Sequence, residues 1–369
     1  MLHWDTVTLN YPFRDPNVIK AKVIRKGKIT MKQTDKKKSP MIDFSSTVWF
    51  GARTEMLAEH LTEHLSATLG RYPERDAATL RKMIARRHDL TDEEIIVTNG
   101  PTGALYQIAQ GLKPGKLLLT VPSPPEYKEA FELYGYEIVH VSDLEPIANW
   151  PLDKVDYCLL STPNNPDGHI VSHSELVGAI KRFPHVKFVI DQSYASFTTT
   201  NMLSSKDIKL YPNLILVWSF SQSYGIPGLR IGYMVADKPI ANQIARYTIP
   251  WSVTSIAQEA AKYILIHPAQ FALPIRKWLR NAQELMSHLR TFDALEVINN
   301  ETTFFLVKVK VGTAEELRLF LEENYNMTIA VMNDYYGLDE TYMRISALSE
   351  EHNQMLVEAI GEWLDTKNV

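Results

Sequence analysis

The sequence predicts an α/β protein with a large domain built on a mainly parallel sheet and a small α+β domain after it. Short strands and helices alternate between about residues 76 and 236, and most of these strands are almost wholly apolar. Strands that are apolar along their whole length are typical of parallel sheets covered by helices on both faces. After about Pro268 a long helix begins a different pattern. The sequence therefore predicts two domains of different architecture.

The first elements along the chain are an arm and a helix. Residues 1 to about 40 are polar and irregular, with a basic cluster at 36–38, and we expect a surface arm. Leucines at 57, 61, 65 and 69 recur at helical spacing and predict one buried helix face. In that helix His60, Glu63 and His64 match the His-x-x-Glu-His pattern of some zinc proteases. That pattern needs a further carboxylate ligand, so we expect surface and core-edge histidines and no metal site.

The alternating region supplies the predicted large domain. Helices are expected at 76–88, 127–134 and 173–183, the last opened by a capping box of Ser172 and Glu175. Strands are expected at 95–97, 116–121, 137–141, 156–161, 186–190, 214–218 and 233–235. Ligands of parallel sheets bind beyond the carboxyl ends of the strands. Polar side chains stand at four of these ends, and they predict one shared site: Thr98, Thr162, Asp191 and Ser219.

The remaining elements predict the small domain. A helix through Leu279 and Met286 precedes a strand at 303–309, and a capping box at Thr313 and Glu316 opens the next helix. Strands at 328–331 and 342–345 and a helix at 351–366 complete the chain. We therefore expect an N-terminal arm and small-domain segment at 1–50, a large domain at 51–268 and a small domain at 269–369.

Composition excludes several classes of partner. The 369 residues include 39 basic and 43 acidic ones, a net charge of −4, so no global positive field would attract nucleic acid. No apolar stretch reaches the roughly 18 residues of a membrane span, and we expect no membrane partner. The single cysteine, Cys158, lies in an apolar run and is expected to be buried. One cysteine permits no internal disulfide, which favours a cytoplasmic protein.

The most informative segment runs from Ser219 to Tyr233. Its Ser219 and Ser221, followed by Arg230 in a Gly-Leu-Arg-x-Gly run, form a specific pattern. Apart from Gln222, the segment resembles the cofactor-lysine segment of fold type I pyridoxal 5′-phosphate enzymes, the aminotransferase superfamily. The resemblance extends over about residues 41–365 and is nearest to histidinol-phosphate aminotransferases and threonine-phosphate decarboxylases. It implies the fold type I architecture and pyridoxal 5′-phosphate as the cofactor.

The resemblance also implies a role for individual residues. Asp191 would hold the protonated pyridine nitrogen, Tyr194 and Asn165 would reach the ring oxygen, and Tyr127 would stack on the ring. Asn165 lies in Asn-Asn-Pro-Asp-Gly, where the family has Asn-Pro-Thr-Gly. Pro101 departs from the family's usual turn because it has no N–H to donate. A set of residues is implied to bind the cofactor phosphate: Gly100, Pro101, Thr102, Ser219, Ser221 and Arg230. For any one of these serines or the arginine taken alone, capping a turn and facing solvent is the more common role, and Asp191 could equally cap the next turn.

Two further residues concern the partner subunit and the substrate. Tyr72 resembles the tyrosine that reaches the phosphate in the neighbouring subunit, which implies a homodimer. Arg344 resembles the arginine that binds the substrate α-carboxylate. The implied reaction is amino transfer between an amino acid and a 2-oxo acid, and the alternative is decarboxylation of a phosphorylated amino acid. The segment 43–51 departs from the family's substrate segment, so substrate identity stays open.

Gln222 stands where the family has the lysine that forms a Schiff base with the cofactor and transfers the substrate proton. Glutamine is neutral, non-basic and non-nucleophilic at nitrogen, so it can do neither. The sequence leaves two explanations open: a Lys→Gln variant of an active enzyme, or a natural homologue that binds the cofactor without turnover. The alternative of another class is a non-catalytic cofactor-binding or interaction protein.

Overall fold

The computed structural model describes residues 40–367, so the arm predicted before Pro40, with its basic cluster, lies outside the described residues. From Met41 onward the chain forms one compact unit. The division into a large and a small domain near residue 268 stays a prediction. Among the described residues, no helix combines the length and the apolar character needed to cross a membrane.

A seven-stranded sheet forms the centre of the fold. Its strands, in chain order, are β2 (Ile95–Thr98), β3 (Lys116–Val121), β4 (Glu137–Ser142), β5 (Tyr157–Ser161), β6 (Lys187–Asp191), β7 (Leu214–Ser219) and β8 (Gly232–Ala236). The spatial order is β2-β8-β7-β6-β5-β3-β4. Neighbours from β4 to β7 pair in parallel, and β8 is antiparallel to both β2 and β7. The mainly parallel sheet predicted from the sequence is confirmed.

Helices cover this sheet on both faces. On one face lie α2 (Ala78–His88), α5 (His173–Arg182) and α8 (Ser255–Ile266), and on the other lie α3 (Gly100–Gly111), α4 (Pro125–Leu133) and α7 (Lys238–Ala245). Successive side chains of a strand point to opposite faces. Leu118 of β3 therefore packs in the first layer, whereas Leu117 and Leu119 pack in the second. Burial of each leucine contributes about 1.5–3 kcal/mol, which explains why these strands are apolar throughout.

A second, four-stranded antiparallel sheet lies in the C-terminal part of the chain. Its order is β12-β13-β10-β9, formed by β9 (Leu295–Val297), β10 (Phe304–Val309), β12 (Ala330–Val331) and β13 (Tyr342–Ser346). The helices α9 (Ile275–Leu289), α10 (Ala314–Tyr325) and α11 (Glu350–Thr366) pack with it around one apolar core. The strand predicted at 328–331 is divided, because its first half forms a separate strand, β11 (Met327–Thr328).

The beginning of the described chain joins this C-terminal part. The short strand β1 (Ile42–Asp43) pairs in parallel with β11. Phe44 follows β1, is fully buried in the C-terminal core, and its carbonyl accepts a hydrogen bond from the Ser346 amide at 2.9 Å. Residues 45–49 follow directly, and of these Thr47 is buried and the others are partly buried.

The predicted leucine face of α1 (Glu55–Leu69) is only partly buried. Leu57 is 2% exposed, but Leu65 is 40% and Leu69 is 70% exposed. The expectation of one fully buried face is therefore wrong for the second half of this helix within the single chain. Helical periodicity identifies an apolar face but does not tell whether the same chain covers it.

Candidate active site

Arg230 lies against the first turn of α3. Its guanidinium donates to the Pro227 carbonyl at 2.9 Å and to the Ser221 hydroxyl at 3.4 Å. Gly100, at the start of α3, has a φ of +76°, and a Cβ there would lie 2.6 Å from a guanidinium nitrogen of Arg230. The Ser219 hydroxyl, at the end of β7, accepts from the Ser221 amide at 2.9 Å. A fixed cation, two hydroxyls and a helix N-terminus thus meet, which is a suitable set for a phosphate.

The other residues predicted for this turn belong to the same helix start. Pro101 and Thr102 are the second and third residues of α3, directly after Gly100. Proline at the first turn of a helix is compatible with helical geometry but offers no N–H. The amides of Gly100 and Thr102 are therefore the backbone donors that the first turn of this helix can offer.

Asp191 ends β6 and is 4% exposed. Its Oδ1 accepts from the amide and the hydroxyl of Ser193 at 2.8 and 2.6 Å, and its Oδ2 accepts from the Tyr127 hydroxyl at 2.6 Å. Burial raises the pKa of the Asp191 carboxyl, although these hydrogen bonds lower it in part. A carboxylate has about four acceptor sites, so one remains free for a protonated ring nitrogen.

Tyr127, predicted as the stacking aromatic, lies in the first turn of α4 and is 6% exposed. Burial and the Asp191 charge raise its pKa well above the ordinary value, so the phenol stays a hydrogen-bond donor to Asp191. The resemblance implied ring stacking for Tyr127, and the structure shows its hydrogen bond with Asp191 in addition. Its stacking role stays a prediction.

Gln222 directly follows Ser221, and its backbone carbonyl accepts from the Trp49 amide at 2.9 Å. Its side-chain Oε1 is buried and has no hydrogen-bond partner among the described residues. The neighbouring Tyr194 hydroxyl lies 3.1 Å from Thr47 Oγ1. Burial raises the pKa of Tyr194, while the Arg344 charge and hydrogen bonds with Thr47 and Gln222 lower it in part. The Gln222 amide therefore lies beside a phenol, and its buried oxygen has no partner among the described residues.

Arg344, from β13, reaches the loop after β5 and the segment after β1. Its Nη1 donates to Asn165 Oδ1 at 2.5 Å, and its Nη2 donates to the Ser45 carbonyl at 2.6 Å. The side chain is 9% exposed, and its Nε has no partner among residues 40–367. Asn165 in turn donates to the Tyr335 hydroxyl at 3.2 Å. A buried guanidinium held only by neutral groups is a strong potential ligand for a carboxylate.

The loop that carries Asn165 is held by buried carboxyl groups. Asn164 Nδ2 donates to Asp143 Oδ2 and to Asp167 Oδ1, both at 2.9 Å. Burial and the neighbouring Asp167 carboxyl raise the pKa of Asp143 well above its ordinary value. Asp167 stands where the family motif has threonine, and it also accepts from the His169 amide at 3.1 Å. The exchange of threonine for aspartate thus keeps the turn and adds a contact between two carboxyl groups.

Tyr72, which is predicted to reach the phosphate in the neighbouring subunit, lies outside the contacts described above. It is 86% exposed, and its ring packs against Trp251 with the centroids 5.7 Å apart. Cys158, by contrast, is fully buried as predicted, and burial raises the pKa of its thiol.

Several contact residues were not identified from the sequence. Ser193 lies two residues after Asp191, and this Asp-x-Ser spacing was a signal that could have found it. Thr47 and Ser45 lie in the segment that departs from the family pattern. No sequence pattern marks Tyr335, because it reaches Asn165 from a connection between β12 and β13.

The residues present fit pyridoxal 5′-phosphate. Asp191 keeps a free acceptor site, and two buried polar atoms, Gln222 Oε1 and Arg344 Nε, lack partners in the described part of the chain. Position 100 requires glycine, because a Cβ there would lie too close to the Arg230 guanidinium. The candidate site contains two guanidinium cations, those of Arg230 and Arg344, and the buried carboxyl group of Asp191.

Comparisons with known proteins agree with this geometry. The family model for class I and II aminotransferases matches residues 40–360. The solved structure of L-threonine-O-3-phosphate decarboxylase from Porphyromonas gingivalis is 44% identical, covers 88% of this chain and 100% of its own, and superposes with a TM-score of 0.86.

Two curated relatives have lower identity. The histidinol-phosphate aminotransferase of Ruminiclostridium cellulolyticum is 27% identical over 82% of this chain and 86% of its own length. The threonine-phosphate decarboxylase of Salmonella typhimurium is 26% identical over 87% of this chain and 90% of its own. Since the family model covers most of the sequence, the chain belongs to the class I and II aminotransferase family, whose members depend on pyridoxal 5′-phosphate.

Proposed function

We propose that this chain binds pyridoxal 5′-phosphate at the carboxyl ends of the parallel strands and is of the histidinol-phosphate aminotransferase type. The observation that carries the proposal is the placement of Arg230 beside Gly100, together with a buried Asp191 that keeps one free acceptor site. The ancestral reaction is amino transfer between an amino acid and a 2-oxo acid. When bound, the cofactor supplies an electron sink for negative charge at the substrate Cα.

The residues of this chain would divide the work of binding. Arg230 and the hydroxyls of Ser219 and Ser221 would bind the phosphate, with the N-terminus of α3 adding backbone donors. Asp191 would accept the ring N–H, since Tyr127 and Ser193 already fix its orientation. Two buried side chains would donate to the ring oxygen: Asn165 and Tyr194.

Arg344 would bind the substrate carboxylate. A guanidinium can offer two parallel N–H donors to a carboxylate, and the Nε of Arg344 has no partner among residues 40–367. Its Nη atoms are held by Asn165 and Ser45, so the side chain is already oriented. Burial of the guanidinium excludes water and strengthens the interaction with a substrate anion.

Gln222 would limit the chemistry of this site. Its amide can accept or donate a hydrogen bond, but it cannot hold a mobile proton near neutral pH. A general base at this position contributes roughly 10²–10⁴-fold to rate in enzymes that use one. Turnover is therefore compromised as long as residue 222 is glutamine, and the limiting case is a protein that binds the cofactor without catalysis.

A second candidate reaction is the decarboxylation of a phosphorylated amino acid. It is favoured by the 44% identity to the Porphyromonas gingivalis L-threonine-O-3-phosphate decarboxylase across all of that chain. The names of both kinds of relative contain a phosphorylated compound with an amino group. We therefore propose a phosphorylated amino compound as the substrate class under either reaction.

The substrate class can be tested by binding, without turnover. We expect O-phospho-L-threonine and L-histidinol phosphate to bind the cofactor-loaded chain about 10-fold or more tighter than L-threonine and L-histidinol. Hydrogen bonds to a charged group contribute about 1.5–3 kcal/mol, which corresponds to at least that ratio. Isothermal titration calorimetry measures the four affinities. Equal affinities for the phosphorylated and the unphosphorylated compounds would rule out this substrate class.

We further propose a cytoplasmic homodimer in which Tyr72 of the partner subunit reaches the cofactor phosphate. Support for a cytoplasmic location is the single, fully buried cysteine. Support for the dimer is a group of exposed apolar side chains around the end of α1, and exposed apolar groups of this kind mark protein interfaces. They are Leu65, Leu69, Tyr72, Ile249 and Trp251, with exposed fractions of 40, 70, 86, 70 and 47%.

A charge placed in this group should separate the subunits. We expect Leu69→Asp to weaken the dimer at least tenfold, because a carboxylate would be buried without a partner in the interface. Leu210→Asp is the matched control, since Leu210 is 66% exposed on α6 (Ser205–Leu210), outside this group. Sedimentation velocity over a concentration series measures both dissociation constants. A monomeric parent chain, or equal effects of the two substitutions, contradicts this interface.

A further inference from the structure

Helices α1 and α8 bring together three side chains that can act as metal ligands. His60 and His64 lie one turn apart on α1, and Glu259 faces them from α8. One ligand atom from each residue lies within 4.8 Å of the others. None of the residues assigned above to the cofactor or the substrate lies on either helix. The cluster is therefore separate from the candidate active site.

The three side chains are already held close to one another. His60 Nε2 lies 2.9 Å from Glu259 Oε1, and both side chains are only 21% exposed. The His60 ring packs between two neighbours, with centroids 4.2 Å from the His64 ring and 4.5 Å from the Tyr263 ring. Packing of this kind restricts the His60 rotamer, so little side-chain freedom remains to be lost on binding an ion.

His64 and Glu259 each have a second polar atom that contacts a neighbouring group, as the ligands of metal ions commonly do. His64 Nδ1 lies 2.8 Å from the His60 carbonyl, and a hydrogen bond donated there leaves the lone pair on Nε2. Lys262 Nζ lies 2.6 Å from Glu259 Oε2, which leaves Oε1 for an ion. Contacts with Lys262 and His60 therefore hold the Glu259 side chain in place.

We propose that His60, His64 and Glu259 form a binding site for a divalent transition-metal ion of the zinc, cobalt or nickel class. Two imidazoles and one carboxylate are a common donor set for these ions, and three protein ligands leave a fourth position for water. Closing the ligand atoms onto one ion requires only small side-chain rotations, because they already lie within 4.8 Å. An ion bound here would join α1 to α8 in the folded chain.

This site differs from the sequence pattern found in the same helix. In the His-x-x-Glu-His pattern the acidic residue is Glu63, which is exposed and does not belong to the cluster. The third ligand is Glu259, 199 positions from His60 in the sequence. That separation explains why the sequence alone predicted no metal site.

The experiment uses the full chain stripped with EDTA and free of pyridoxal phosphate, because the cofactor itself binds divalent metals. Titration with Co²⁺ is followed by visible absorbance and by calorimetry, and Zn²⁺ is then added as a competitor. We expect one Co²⁺ per chain, displaced by Zn²⁺, and a rise in Tm, since an ion that binds only the folded chain stabilises it.

Three variants decide whether the proposed ligands hold the ion. His64→Ala and Glu259→Gln should each lower Co²⁺ affinity at least tenfold, whereas the matched control Glu63→Gln should leave it unchanged. His64 is exposed, so its substitution leaves the fold intact, as circular dichroism would verify. Absence of Co²⁺ binding, or undiminished affinity in both His64→Ala and Glu259→Gln, overturns the proposal. The outcome is independent of the proposed cofactor and reaction.

Discussion

A Gln222→Lys variant is expected to bind pyridoxal 5′-phosphate covalently and to gain turnover with an amino acid substrate. Residue 222 follows Ser221 of the proposed phosphate site, and its side chain ends beside Tyr194 with a buried oxygen atom. A lysine amine at the same position would lie where glutamine now leaves an acceptor unsatisfied. Because a positioned base contributes about 10²–10⁴-fold, we expect a gain in turnover of that size.

Two measurements check this expectation. Borohydride reduction followed by mass spectrometry should show one reduced cofactor attached to each Gln222→Lys chain and none attached to the Gln222→Met control. Product analysis then distinguishes a 2-oxo acid, formed by amino transfer, from carbon dioxide, formed by decarboxylation. If the lysine variant carries no reducible adduct, the proposed cofactor site is wrong. If the unchanged chain turns over as fast as the lysine variant, the requirement for lysine at 222 is wrong.

Asp191→Asn should have opposite effects on folding stability and on cofactor binding. Burial raises the pKa of Asp191 above its ordinary value of 3.8, so its ionised form is penalised in the folded chain. The stability that this group contributes is complete below its ordinary pKa and is lost as the pH rises through the raised pKa. At neutral pH, Asp191→Asn should therefore stabilise the cofactor-free chain. This gain should disappear as the pH falls towards 3.8.

Cofactor binding should change in the other direction. Removing one member of a buried charge pair costs about 2–5 kcal/mol, so the cofactor dissociation constant should rise about 30-fold to several thousand-fold. Fluorescence titration gives the dissociation constant, and urea unfolding at several pH values gives the stability. The control is Asp207→Asn, at a buried carboxylate that caps α6 and contacts His173 at 3.1 Å. That variant should lose stability and keep cofactor affinity, and the same pattern at Asp191 would show a purely structural role.

The sequence predicted those site residues that lie where a buried strand ends. Asp191 and Ser219 could be found because each ends a strand of mostly apolar residues, so the end of the strand is visible in the sequence. The ends of such strands meet at one edge of a parallel sheet. The contacts of Tyr194 with Thr47 and of Arg344 with Ser45 could not be found in this way. They join positions 147 and 299 residues apart, and no local pattern records which distant segments will pack together.

The burial of α1 was mispredicted for a physical reason. Leu57 and Leu69 have the same helical spacing and the same apolar side chain, but their exposed fractions are 2% and 70%. Periodicity reports that a face is apolar, while burial depends on which surface covers it. The proposed metal-ligand cluster could not be predicted for the same reason, because Glu259 comes close to His60 only where α8 packs on α1.

The pairing of β1 with β11 makes the order of synthesis important for this protein. Arg344, which donates to the Ser45 carbonyl, is made 299 residues after it. All seven strands of the large sheet precede Arg344 in the chain. The contact between Ser45 and Arg344 cannot form until β13 has been made. Long-range contacts of this kind form slowly. The growing chain therefore keeps Phe44 and its neighbours without these partners until β11 and β13 have been made, and a protein truncated before β13 would lack Arg344.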